Sequence, residues 1–142
     1  MSLILMAFLL FTQPDSISSN YIFPLAPPIF HHPPKVLFNS RSFDLELFIK
    51  TSRDSIKSIS FFYQTDEMPR LVEIPFDVNS PRIQFHYDPK LRPAKKITYY
   101  FVVSLRDGSL YAAPVDSSGI LKPVTKYLLD PEYYFKRRAA LR

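Results

Sequence analysis

A period of two runs through the middle of this chain and limits what it can fold into. Phe43, Leu45, Leu47 and Ile49 alternate with Asp44, Glu46 and Lys50. Ile59, Phe61 and Tyr63 oppose Ser58, Ser60 and Gln64, and Ile83, Phe85 and Tyr87 oppose Arg82, Gln84 and His86. Successive side chains of a strand point to opposite faces, so each run offers one apolar face to a core and one polar face to water. Residues 71–76 read as a shorter strand, which Pro75 places at a sheet edge. In residues 97–105, Ile97, Tyr99, Phe101, Val103 and Leu105 face one way. Asp107-Gly108 then reads as the tip about which residues 97–113 fold as two strands, because a two-residue type I′ turn needs φ > 0 at both central positions. With a short first strand near residues 35–38, about seven strands recur at roughly ten-residue spacing without a helical pattern between them. The predicted class is all-β, an antiparallel two-sheet sandwich.

Composition supports this class and removes several activities. The chain has 142 residues, enough for one domain with short appendages. Phe (13) and Tyr (9) supply strand-favouring bulk, and with 14 Pro against 2 Gly the turns fall mostly to Pro, Asn, Asp and Ser. So few glycines argue against a glycine-rich phosphate cradle. Cysteine is absent, which removes disulfides, thiolate nucleophiles and Cys-based metal sites. The net charge is +5, and the stretch from Asp130 onward holds four basic and two acidic residues. The other cations are scattered as on an ordinary solvated surface, and no nucleic-acid groove is expected.

The two ends differ from the middle. Residues 3–11 are nine consecutive apolar residues, shorter than the roughly 20 of a membrane-spanning helix. They fit the apolar region of a signal peptide over 1–19, with Ser16-Ile17-Ser18 at the cleavage site, although no Lys or Arg precedes them. A buried edge strand is the alternative. Export of this kind implies an extracytoplasmic location: periplasm, cell surface or secreted. Residues 20–34 form an extended lead-in whose five prolines (Pro24, Pro27, Pro28, Pro33, Pro34) forbid a helix or a central strand. The sandwich is expected over 35–125. In 126–142, Asp130-Pro131-Glu132 is a helix start, with an N-cap, proline at the first position and an acid in the first turn. Lys136, Arg137, Arg138 and Arg142 complement the helix dipole beyond it. This segment is a helical appendage or the start of a following region.

Four stretches resemble the immunoglobulin-like or fibronectin type III-like β-sandwich modules of bacterial envelope and secreted proteins. Ile29-Phe30-His31-His32-Pro33-Pro34 is similar to the lead-in before their first strand, and Ser58-Ile59-Ser60-Phe61-Phe62-Tyr63 to their third strand. Glu73-Ile74-Pro75-Phe76 resembles the short strand packed over it. Leu91-Arg92-Pro93 with Tyr99-Tyr100 resembles the corner leading into the sixth strand, where one tyrosine ties the corner. Two departures are Gln64, where Arg often follows the tyrosine, and Leu105, where an acid commonly stands. The resemblance implies a spacer, an adhesion module or an attached domain.

Reactive constellations are sparse. His31 and His32 are adjacent, so an extended backbone points them to opposite sides and they cannot clamp one metal. Packing or capping is their expected role. Neither His-Glu-x-x-His nor Gly-x-Ser-x-Gly occurs. Asp44 and Glu46 share a strand face and keep it wet, and Asp66-Glu67 lacks the further oxygens of a calcium loop. No catalytic residue, metal ligand or cofactor site is identified. The expected function is a non-enzymatic structural or protein-interaction module of an exported envelope protein. Its partner would be a protein or other domains of a longer chain, with membrane contact only through the N-terminal segment or the basic helix. The alternative is a carbohydrate-binding module using Phe62, Tyr100 and Tyr111 as surface aromatics on a glycan. Tyr99, Asp107 and Gly108 are expected to be structural, Tyr99 or Tyr100 at the corner and the other two at the hairpin tip.

Overall fold

A computed structural model describes residues 21–25 and 28–142; residues 3–11 and Ser16-Ile17-Ser18 lie outside them. Among the described residues, nine strands form two sheets: β1 (Ile29–His31), β2 (Leu37–Phe38), β3 (Phe43–Ile49), β4 (Ile56–Thr65), β5 (Val72–Phe76), β6 (Ile83–Tyr87), β7 (Lys96–Leu105), β8 (Leu110–Ala113) and β9 (Val124–Leu129). An α-helix, α1 (Pro131–Ala140), follows. The smaller sheet has the order β1-β3-β6. The larger has β2-β9-β7-β4-β5, with β8 also on β7. The count is therefore nine rather than seven, β1 and β9 being the strands the alternation did not reveal. β1 is three residues long among prolines, too short to show a period. β9 is read as Val-Thr-Lys-Tyr-Leu-Leu, in which only Val124 and Leu128 are buried.

Pairing is antiparallel except between β2 and β9, where Leu37 and Phe38 run parallel to Leu128 and Leu129. The cause is local. Pro33 and Pro34 end β1 on the small sheet, and the chain crosses to the large one without reversing.

The inward faces match the predicted phases. Leu45, Leu47, Ile83 and Tyr87 of the small sheet meet Ile59, Phe61, Tyr63, Ile97, Tyr99, Phe101 and Val103 of the large one. At the centre the Phe61 ring lies 4.5 Å from Phe85 and 4.9 Å from Phe101.

A second core lies on the outer face of the large sheet. β8 and β9 occupy successive halves of one β7 edge, and between them residues 114–123 leave the sheet and return. That excursion, with residues 21–25, covers the face: Phe23 and Leu121 pack on Phe62, Tyr100, Val102 and Ala112. The anchor is Gly119, whose carbonyl accepts from the Phe23 N–H at 2.7 Å. At φ +80° a Cβ there would lie 2.4 Å from the Phe23 carbonyl oxygen, so position 119 excludes a side chain twice over.

The β7–β8 hairpin corrects the predicted turn. The Gly108 N–H donates to the Leu105 carbonyl at 3.1 Å, and the Leu105 N–H to the Ser109 carbonyl at 2.9 Å. The loop is therefore three residues, Arg106-Asp107-Gly108. It is a turn centred on Arg106-Asp107 followed by left-handed Gly108 (φ +91°), the arrangement of a G1 bulge rather than a type I′ turn. Asp107 accepts from the Ser109 N–H at 2.9 Å, and its bonds from Ser109 hold the carboxyl below its usual range.

Candidate interaction surface

The three aromatics singled out as surface residues do not form a patch. Phe62 and Tyr100 are cross-strand partners, stacked at 5.0 Å and buried under the excursion. Tyr111 stands opposite Val103, on the inward face, and packs against the main core. The physical reason is that the large sheet is covered on both faces, so its outer-phase rings are core residues. Burial raises the pKa of the Tyr100 hydroxyl, with the Glu73 carboxylate adding to it.

The corner is also tied differently. Tyr99 spans the sandwich: its hydroxyl lies 2.7 Å from His31 Nε2, while His31 Nδ1 lies 2.7 Å from the Glu46 carbonyl oxygen. A carbonyl can only accept, so Nδ1 carries the proton and Nε2 accepts from Tyr99. His31 is thus a neutral bridge between β1, β3 and β7, and burial lowers its pKa. The tie across residues 88–93 belongs to Tyr87, whose hydroxyl donates to the Arg92 carbonyl. Arg92 in turn donates to the Tyr63 hydroxyl at 3.2 Å.

His32 points the other way from His31, as adjacent residues of an extended chain must, and joins a ring cluster on the outer face of the small sheet. Phe30 and Phe48 are direct cross-strand partners stacked at 5.1 Å with 16° between their planes. The His32 ring lies 5.1 Å from Phe30 and 5.9 Å from Phe48, and Lys50 Nζ sits 4.9 Å over Phe30. Phe48 is 39% exposed. The signal for this cluster was in the alternation itself: Phe48 stands in the polar phase between Glu46 and Lys50, where a strand with one wet face has no use for a phenylalanine.

Beside the rings, the same sheet face carries a charge ladder between β3 and β6. His86 Nδ1 meets Asp44 Oδ1 at 2.8 Å, and Arg82 clasps both Glu46 oxygens at 2.7 and 3.2 Å. The Arg82 bonds hold the Glu46 carboxyl below its usual range. Exposed pairs of this kind contribute little to stability but fix a charge pattern. Elsewhere, an open cleft of about 480 Å³ lies at one end of the sandwich, where Glu67, Lys90 and Lys95 bring single charges without a second carboxylate. Among the described residues, no group of three or more His, Cys, Asp or Glu is placed to hold a metal, and no helix is long and apolar enough to cross a membrane.

No protein-family model matches the chain, and no curated protein is significantly similar to it.

Proposed function

We propose that this protein is a non-enzymatic β-sandwich module of an exported envelope protein, of the immunoglobulin-like or fibronectin type III-like kind, that engages a protein partner. The observation that carries the reading is the Phe30–Phe48 ring pair, set outward beside the Asp44–His86 and Arg82–Glu46 ladder. The outer face of the large sheet is occupied by the chain's own segments. The outer face of the small sheet instead joins half-exposed aromatic rings to a fixed charge pattern, the mixture of aromatic anchor and polar rim found at protein interfaces. The strand order adds support for the family. β1-β3-β6 opposed to β5-β4-β7 with β8 and β9 follows the order of the A, B, E strands against the C, F, G strands in immunoglobulin-type sandwiches. Export rests on the apolar run at residues 3–11 followed by Ser16-Ile17-Ser18.

The test is capture from an envelope extract of the source organism with wild type beside Phe30→Ser/Phe48→Ser. The expected result is a stoichiometric partner retained by wild type and lost by the variant while the melting temperature is kept. Equal retention by both would remove this face from the proposal. N-terminal sequencing of the mature protein tests the compartment, and an intact Met1 on protein confined to the cytoplasm contradicts export. A second reading, a carbohydrate-binding module, draws on the same stacked rings. Affinity electrophoresis against a polysaccharide panel separates it, since retardation that Phe48→Ala abolishes would favour the glycan over the protein.

A further inference from the structure

Helix α1 is held by its own residues and by one edge of the sandwich. The Asp130 carboxylate caps it through the Glu132 N–H at 3.1 Å, and Lys136 pairs with Glu132 at 3.0 Å. Arg138 donates to the Tyr134 hydroxyl at 3.2 Å, and the Arg137 guanidinium lies 5.8 Å over the Tyr133 ring. It meets the sandwich at Phe38, whose ring lies 5.6 Å from Tyr134 and 5.9 Å from Phe135, with Arg41 stacked over Phe38 at 5.7 Å. None of its residues is buried. Ten residues are fewer than the roughly 12–15 at which an isolated helix becomes even marginal in water, so capping and side-chain pairs leave it short of support.

What the helix exposes has a definite chemistry. Tyr133 is 60% exposed, Phe135 58% and Leu141 84%, and Tyr127 on the adjoining strand β9 is 64% exposed. Lys136, Arg137, Arg138 and Arg142 are interleaved with them, while the two acids, Asp130 and Glu132, are confined to the helix start. Rings beside cations suit shallow contact at the headgroup level, where Lys and Arg meet phosphates and amphipathic Tyr rings sit at the membrane–water boundary. Each Lys or Arg near an anionic surface adds favourable free energy, and these four with Arg41 reach the number that reads as an anionic-lipid cluster.

We infer that α1, with Arg41 beside it, docks on an anionic phospholipid surface and is stabilised there. The site stands on residues separate from the Phe30–Phe48 face and does not depend on it. It is tested with the full chain and vesicles of phosphatidylcholine containing a minority of phosphatidylglycerol, beside vesicles of phosphatidylcholine alone. Wild type is expected to sediment with the anionic vesicles and to gain hydrogen-exchange protection across residues 132–141. Lys136→Gln/Arg137→Gln/Arg138→Gln, at exposed positions that leave the sandwich intact, should lower that partitioning at least about tenfold, and added salt should weaken the wild type in the same sense. Tyr133→Ser/Phe135→Ser should weaken it further at high salt, where the ring contribution dominates. Equal binding to both vesicle types, or triple-Gln partitioning equal to wild type, would overturn the inference. So would preferential binding to a single-stranded oligonucleotide, which would reassign the rings and cations to base stacking and backbone phosphates.

Discussion

At the scale of single residues, the two glycines divide the demands that a glycine can meet. At Gly108 a Cβ would meet nothing within 4 Å, so only the left-handed backbone requires it. At Gly119 the backbone and the Phe23 carbonyl both exclude a side chain. Gly108→Ala should therefore cost about 1–2 kcal/mol. Gly119→Ala should cost about 1–3 kcal/mol more, through the clash with the 21–25 segment; urea unfolding of the two variants checks the order. His31 offers a second residue-level prediction. Its folded pKa lies below that of the unfolded chain because burial disfavours the imidazolium, so the unfolded state binds the proton first as pH falls. Its contribution is fully present above the unfolded pKa near 6.5 and is lost as pH falls from there toward the folded value. Melting temperature should decline over that window, and the decline should be shallower in His31→Gln. An identical pH profile in the two proteins would mean that folding leaves the His31 pKa where it is in the unfolded chain. The adjacency of His31 and His32 made their divergence legible from sequence. That His31 would find Tyr99 across the sandwich was not legible, because the contact joins residues 68 positions apart.

Elements were legible where a strand had one wet face. β3, β4 and β6 showed their inward residues directly, and α1 was announced by Asp130-Pro131-Glu132. β7 was the harder case. Residues 99–103 are buried without interruption, so the inner set could be read while the outer set, Tyr100 and Val102, looked like surplus. A continuous run of this kind is the mark of a strand covered on both sides. The scarcity of glycine also hid a clue, since the second of only two stood at Gly119, where the covering segment is anchored. The same logic reverses the roles first given to the aromatics. Phe62→Ala should cost about 3–5 kcal/mol, because it empties the centre of the second core. Phe48→Ser should stay within about 1 kcal/mol of wild type, because its ring is partly in water already. Denaturant midpoints measured side by side check this, and equal losses would contradict the assignment of one ring to the core and the other to the surface.

For the molecule as a whole, an all-β sandwich followed from alternation and turn spacing, while the separation of its two outer faces did not. The large sheet is closed by residues 21–25 and the 114–123 excursion, which carry almost no periodic signal because they are irregular. Once that face is closed, the exposed rings among the described residues include Phe48 on the small sheet, stacked on the less exposed Phe30, together with Tyr21, Tyr127 on β9, and Tyr133 and Phe135 on α1. Partner recognition through the small sheet can be tested in place with a photo-crosslinker. With p-benzoylphenylalanine substituted at Phe48, and separately at Phe62, the protein is expressed in its source cell and irradiated. The expected result is an adduct with a discrete extracytoplasmic protein from position 48 and none from position 62. Adducts from position 62 alone, or from position 48 with cytoplasmic proteins only, would contradict it.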